Sequence, residues 1–166
     1  SFGSAQGISS SNIWSMTGSQ AGQRFGSGLA VQDFNGDGLN DIAIGSSGWN
    51  NTLANESGDH GLIEIFLGNS SGVDSDSWWN VSGNQGEALG WKVEGIANMN
   101  GDGFADLAAV AGNYSIIIEN IPAEIVHKGK IVIYKGNSSM MNHVRNITQT
   151  QESTLLGRSL SGSGDL

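Results

Sequence analysis

Oxygen-bearing side chains stand at the first, third, fifth and ninth positions of a segment that begins at Asp33, and again in a segment that begins 65 residues later at Asn98. The first set is Asp33, Asn35, Asp37 and Asp41; the second is Asn98, Asn100, Asp102 and Asp106. Glycines occupy the fourth and sixth positions of both, as Gly36, Gly38, Gly101 and Gly103. A tight loop with oxygens at alternate positions can wrap a hard cation, and calcium takes about six to eight oxygens in a flexible shell. The carbonyls of Leu39 and Phe104, at the seventh positions, complete each predicted set. The glycines permit backbone angles that a side chain would penalise. Without an ion, three carboxylates in one loop repel each other and oppose its closure.

Ligand charge tunes calcium affinity. The first loop offers three carboxylates and the second two, so two Ca2+ sites are expected, the second weaker. Magnesium suits the loops less, because it demands a smaller octahedral shell and retains water. Asn-Gly-Asp-Gly can also form a hairpin turn without metal. A second copy with a matching ninth carboxylate argues against that reading. An EF-hand loop requires an exiting helix and a carboxylate at position twelve; here position twelve is Ile44, in the strand-like run Ile42-Ala43-Ile44-Gly45.

Loops of this kind must be held by short strands, and the composition agrees. The chain has 166 residues, 26 of them glycine, one proline and no cysteine. Glycine at about twice its usual ~7% without proline suits many tight turns. The net charge is −9, and a basic nucleic-acid footprint is absent. Two calcium ions would bring the charge to −5 (−9 plus 4). Lack of cysteine excludes disulfides and thiol chemistry. Apolar runs such as Ile116 to Ile118 are too short to cross a bilayer. The start at Ser1, without a signal-peptide pattern, reads as a mature or excised piece.

Seven Asn-x-Ser/Thr sequons occur, at Asn50, Asn55, Asn69, Asn80, Asn113, Asn137 and Asn146, where chance placement would give about three. None interrupts a cation loop. The excess points to a secreted, N-glycosylated chain.

Other segments repeat with the loops. Trp14 to Gly18 matches Trp79 to Gly83, Phe25-Gly26 matches Leu89-Gly90 and Leu156-Gly157, and Gly61 to Gly68 matches Gly129 to Gly136. Each repeat holds four predicted strands: one around Trp79 and Val81, one entering the loop (Leu29 to Val31, Trp91 to Val93), one leaving it (Ile42 to Ile44, Leu107 to Val110) and one with period-two alternation (Leu62 to Phe66, Ile131 to Tyr134). No convincing amphipathic helix is found. Four strands per repeat predict an all-β chain of four-stranded antiparallel β-propeller blades.

The order Phe25-Gly26, strand, Asp33-x-Asn35-x-Asp37-Gly38-x-x-Asp41, Ile42-Ala43-Ile44-Gly45, then Gly61-x-x-x-Ile65-Phe66-x-Gly68 resembles the FG-GAP repeat of integrin α subunits and related secreted proteins. The resemblance covers nearly the whole chain. It implies a propeller, calcium loops at blade edges, and an extracellular or cell-surface role in adhesion or scaffolding. The second copy departs in having Leu89 for Phe and Asn98 for the leading Asp. A full family propeller needs about seven blades. Here one fragment, 1–166, holds about two and a half: repeats of about 3–67 and 68–135, then the start of a third over about 136–166, with Asp165 opening a third loop.

The remaining chemistry is sparse. His60, His127 and His143 show no zinc or dyad spacing and read as surface or turn residues. No serine elbow is present, and Glu64, Glu87, Glu94 and Glu119 form no acid–base pair; no enzyme is expected. Trp14 and Trp79 read as blade packing; Trp49, Trp78 and Trp91 do not recur, and one could stack on a sugar. The apolar segment Ser115 to Val126 must either fold onto its own blade or meet another subunit. The expected partners are other blades, from the same longer chain or from neighbouring copies, as a homo-oligomer or filament. The alternative is a non-catalytic accessory or glycan-binding domain of a larger secreted enzyme.

Overall fold

The computed structural model describes residues 3–4, 7–8, 14–51, 58–118, 124–127, 129–148 and 156–162. Its strands are β1 (Gly3–Ser4), β2 (Gly7–Ile8), β3 (Phe25–Gln32), β4 (Asp41–Ser46), β5 (Leu62–Phe66), β6 (Gly68–Asn69), β7 (Gly72–Val73), β8 (Trp79–Ser82), β9 (Leu89–Ile96), β10 (Asp106–Ala111), β11 (Ser115–Ile118), β12 (Glu124–His127), β13 (Lys130–Lys135) and β14 (Asn142–Thr148). No helix occurs among the described residues.

Two four-stranded antiparallel sheets dominate, ordered β3-β4-β5-β8 and β9-β10-β13-β14. They are two consecutive blades with the same topology. The small sheets β1-β2, β6-β7 and β11-β12 are hairpins. The last of these pairs Ser115 to Ile118 with Glu124 to His127, so the apolar segment makes a hairpin of its own.

Strand alternation sorts each blade into two faces. In the first blade, Ala30, Ala43 and Ile65 share one rung, and Leu29, Ile44 and Glu64 share the next. The Ala30 rung faces the second blade and joins Val93, Leu107, Ala109 and Val132 in one core. Ile63 and Ile65 are wholly buried there. Burying a large aliphatic side chain contributes about 1.5–3 kcal/mol. Trp79 closes this core edge-on against Tyr134, ring centroids 5.2 Å apart. Trp14 packs on Phe66 at 6.0 Å, on the opposite face. Both repeating tryptophans are thus blade-packing residues.

The Phe-Gly motif has a backbone cause. Gly26, Gly90 and Gly157 all have positive φ, at 84°, 85° and 88°. Each four-stranded sheet has a register shift near its motif, between Phe25 and Gly28 in one and between Val110 and Ala111 in the other. At this point the blades approach closely. A Cβ on Gly45 would lie 2.1 Å from the Gly90 carbonyl oxygen. Only glycine at Gly45 allows that approach. Ser27 Oγ donates to the same oxygen at 2.9 Å, tying β3 to β9.

Candidate metal centre

Both acidic loops join the first and second strands of a blade, β3 to β4 and β9 to β10. In the first, the leading carboxylate gathers main-chain amides. Asp33 Oδ1 accepts from Gly36 N (2.7 Å) and Asp37 N (3.1 Å), and Oδ2 accepts from Gly38 N (2.8 Å). Asn35 Oδ1 accepts from Asp37 N at 2.9 Å, and Asp37 Oδ1 from Leu39 N at 2.8 Å. Asn35 Nδ2 donates to Asp37 Oδ2 at 2.9 Å.

The second loop repeats the pattern with one charge fewer. Asn98 Oδ1 accepts from Asp102 N at 2.9 Å, Asn100 Oδ1 from the same amide at 3.2 Å, and Asp102 Oδ1 from Phe104 N at 3.1 Å. Asn100 Nδ2 donates to Asp102 Oδ2 at 2.9 Å. Lys135 Nζ lies 3.5 Å from Asp102 Oδ2. Desolvation acts to raise the Asp102 carboxyl, but Asn100, the Phe104 amide and Lys135 together hold it below the usual carboxylate range.

The ninth-position carboxylates stand apart from the rest. Asp41 is wholly buried; its Oδ2 accepts from Phe34 N and its Oδ1 from Gly68 N, both at 2.9 Å. Asp106 repeats this, with Met99 N at 2.9 Å and Gly136 N at 3.2 Å. Each one pins its loop to a glycine just beyond the third strand of its blade, Gly68 or Gly136. Burial pushes the Asp41 carboxyl up, the Gly68 and Phe34 amides pull it down, and neighbouring Asp37 adds to the net rise. Grouping these residues with the other oxygen donors missed this anchoring role.

The first and third side chains of each loop therefore share the amide of the fifth residue, and the third donates to the fifth carboxylate, while the ninth binds separate amides. Among the described residues, no three Asp, Glu or His side chains form a cluster already arranged to hold a metal. The donor set is nevertheless all oxygen, on exposed loops, with Asp37 near enough to Asp41 to act on its charge. Carboxylate and carbonyl oxygens are the donors a hard cation takes.

The other predicted residues disperse. Asn69, Asn80, Asn113 and Asn146 are exposed, Asn50 and Asn137 are half-buried, and Asn55 lies outside the described residues, as does Asp165. Asn50 Oδ1 is buried without a hydrogen-bond partner. Gln20 holds its main chain on both sides, through Asn50 N at 3.1 Å and Asn50 O at 3.0 Å. His60 is buried rather than at the surface, because its ring packs against Trp49 and its Nδ1 lies 2.8 Å from the Gly58 carbonyl. His143 is exposed and stacks edge-on with Tyr134. Trp78 packs against the core, while Trp91 is 43% exposed beside a cavity of about 230 Å3 bounded by Val110 and Leu156.

One buried ion pair was not foreseen. Glu87 Oε1 meets Lys130 Nζ at 2.7 Å, and the ammonium sits over the Tyr114 ring at 4.9 Å from its centroid. Asn84 donates to both carboxylate oxygens, through its amide at 3.1 Å and its side chain at 3.0 Å. The pair belongs to the seam between blades.

The FG-GAP repeat family model matches residues 25–59, which contain the first Phe-Gly motif, the first loop and the strand after it. The chain is 30% identical to integrin alpha-PS2 of Drosophila melanogaster over 105 residues, 60% of this chain and 7% of that protein. It is 27% identical to integrin alpha-4 of Xenopus laevis over 121 residues, 72% of this chain and 10% of that protein. The chain thus spans a tenth or less of the length of these curated relatives. With two sheets of one topology, a recurrent glycine bend and twin acidic loops, the chain carries an FG-GAP repeat and is similar to integrin α subunits, and four-stranded antiparallel sheets of this kind are the β-propeller blades that such repeats form.

Proposed function

We propose that this chain is a calcium-binding propeller module of a secreted or cell-surface protein, with an adhesion, scaffolding or assembly role rather than a catalytic one. Asp33, Asn35, Asp37, Asp41 and the Leu39 carbonyl hold the first ion; Asn98, Asn100, Asp102, Asp106 and the Phe104 carbonyl hold the second. A bound divalent cation supplies positive charge that offsets the carboxylates and stiffens the strand-to-strand link. The observation that carries this reading is the repeated loop architecture, in which an exposed oxygen-rich turn is pinned at its far end by a buried carboxylate. The second site is the weaker. It has one carboxylate fewer, and Lys135 already sits beside Asp102.

The partner of the first blade is another blade. Leu29 and Val31 on β3 are 60% and 50% exposed. The second-blade residues in the same register are Val93, opposite Ala109, and Gly95, opposite Leu107. Both are buried against the first blade. A preceding blade, from a longer chain or from a second copy, covers Leu29 and Val31 in the same way.

Calorimetric titration of the chelator-stripped chain with calcium tests the proposal, with sedimentation before and after loading. Two binding events of unequal affinity are expected, the tighter one abolished by combining Asp33→Asn with Asp37→Asn. Absence of heat and of any melting shift in millimolar calcium would overturn it.

A further inference from the structure

Four of the sequons form two structurally equivalent pairs. In the first blade, Ile44 on β4 pairs with Glu64 on β5, which pairs with Asn80 on β8. In the second, Ala109 on β10 pairs with Val132 on β13, which pairs with Asn146 on β14. Ile44 and Ala109 each lie three residues after the buried carboxylates Asp41 and Asp106. Asn80 and Asn146 therefore occupy the same rung of the outermost strand in successive blades. Both are exposed, and both strands are sheet edges.

The other pair, Asn69 and Asn137, follows Gly68 and Gly136 and has a local explanation. Asn69 Oδ1 accepts from Ser71 N at 2.7 Å, and Asn137 Oδ1 from Ser139 N at 2.8 Å. Such a turn selects asparagine before serine whether or not sugar is added. Asn80 and Asn146 close no turn. Asparagine is depleted in strands, yet it recurs here on the same rung, followed two residues later by Ser82 and Thr148. Asn146 Oδ1 lies 3.0 Å from His143 Nε2, on an exposed strand.

An exposed edge strand presents unpaired main-chain groups to any other chain, and proteins blunt such edges. We propose that Asn80 and Asn146 carry N-linked glycans that cap the outer edges of the two blades. The inference rests on the secreted reading above. In the modification, Nδ2 bonds to the anomeric carbon of an oligosaccharide carried on a lipid diphosphate. The carbon–oxygen bond to the diphosphate breaks, the diphosphate leaves as an anion, and the amide gives up one proton. The sugar then bars a second strand from the edge.

The test is secretion of the chain from an animal cell line, followed by peptide mass mapping of each sequon after glycosidase treatment in heavy-oxygen water. Occupancy at Asn80 and Asn146 is expected. The pair Ser82→Ala and Thr148→Ala removes both acceptors but keeps both asparagines. It is expected to sediment as larger species than the glycosylated chain, and so is folded wild type trimmed enzymatically to single sugars. The trimmed sample keeps the test valid if the variant misfolds. Sugar at other sequons with Asn80 and Asn146 bare overturns the inference and leaves secretion intact. A chain that is not exported, or carries no sugar at any sequon, overturns both. Unchanged sedimentation after trimming and substitution overturns the capping role.

Discussion

The main-chain carbonyl of Asp33 accepts a hydrogen bond from the amide of Ala105 at 3.1 Å, so the two acidic loops are joined. The Phe104 ring reinforces the joint by lying against Gly36. Gly36 has φ of 77°, and a Cβ there would sit 2.6 Å from Phe104 Cε1. Gly36→Ala therefore meets both a strained backbone and a steric block. It should lower stability by roughly 1–3 kcal/mol and weaken calcium binding at both loops. Adding Phe104→Ala removes the block but not the strain, so the double variant should recover part of the loss. Melting curves and titrations of the two singles and the double measure that coupling.

The buried and exposed carboxylates of one loop should behave differently. Asp41→Asn replaces an acceptor with an NH2 group facing the Phe34 or Gly68 amide. Leaving a buried donor unsatisfied costs about 1–3 kcal/mol, so this variant should melt lower even in chelator. Asp37→Asn, on the exposed rim, should melt like wild type in chelator and lose about tenfold in calcium affinity, a difference of ~1.4 kcal/mol. Equal melting of the two variants without calcium would contradict the anchoring role of Asp41.

The Glu87–Lys130 pair gives an acid limb to stability. Burial pushes the Glu87 carboxyl up, but hydrogen bonds from Lys130 and Asn84 outweigh it and hold it below its ordinary value of 4.5. A depressed carboxylate contributes stability above the unfolded value and loses it as pH falls through the folded one. The pair should therefore stabilise fully above about pH 4.5 and fail progressively below it. Breaking a buried pair from one side costs roughly 3–5 kcal/mol, so Glu87→Gln and Lys130→Met should each be severe. The double variant should cost less than their sum and should lose the acid limb. Melting temperature against pH for all four proteins decides it.

Most of the architecture was legible because it repeats. The strand runs, the Phe-Gly bend and the loops recur at nearly fixed spacing, and period-two alternation marks Leu62 to Phe66 and Ile131 to Tyr134 as strands. The repeat could not separate Asp41 from Asp37. Both are aspartates on one loop, and only the fold places Gly68 over the first. Glu87 and Lys130 are 43 residues apart and have no repeated partner, so nothing local marks them as buried. His60 was misplaced for a similar reason, because the Trp49 ring that covers it comes from another turn. The equivalence of Asn80 and Asn146 was hidden because their separation, 66 residues, matters only after the strands are paired.

Glu64 tests the open face of the first blade. It holds the rung that Val132 occupies in the second, between Ile44 and Asn80, and it shares a cleft with Phe25 and Phe66. Burial pushes its carboxyl above the ordinary 4.5. A raised carboxyl binds its proton more tightly in the folded chain. Its contribution is therefore fully present below about pH 4.5 and is lost as pH rises through the folded value. Glu64→Gln should thus melt higher than wild type at pH 7 and match it near pH 4. A blade laid over Leu29 and Val31 would desolvate Glu64 further, so self-association through this face should strengthen as the carboxyl protonates. Sedimentation at pH 5 and pH 7.5 should show that trend in wild type and a flat response in Glu64→Gln. An equal trend in both proteins would place the association on another surface.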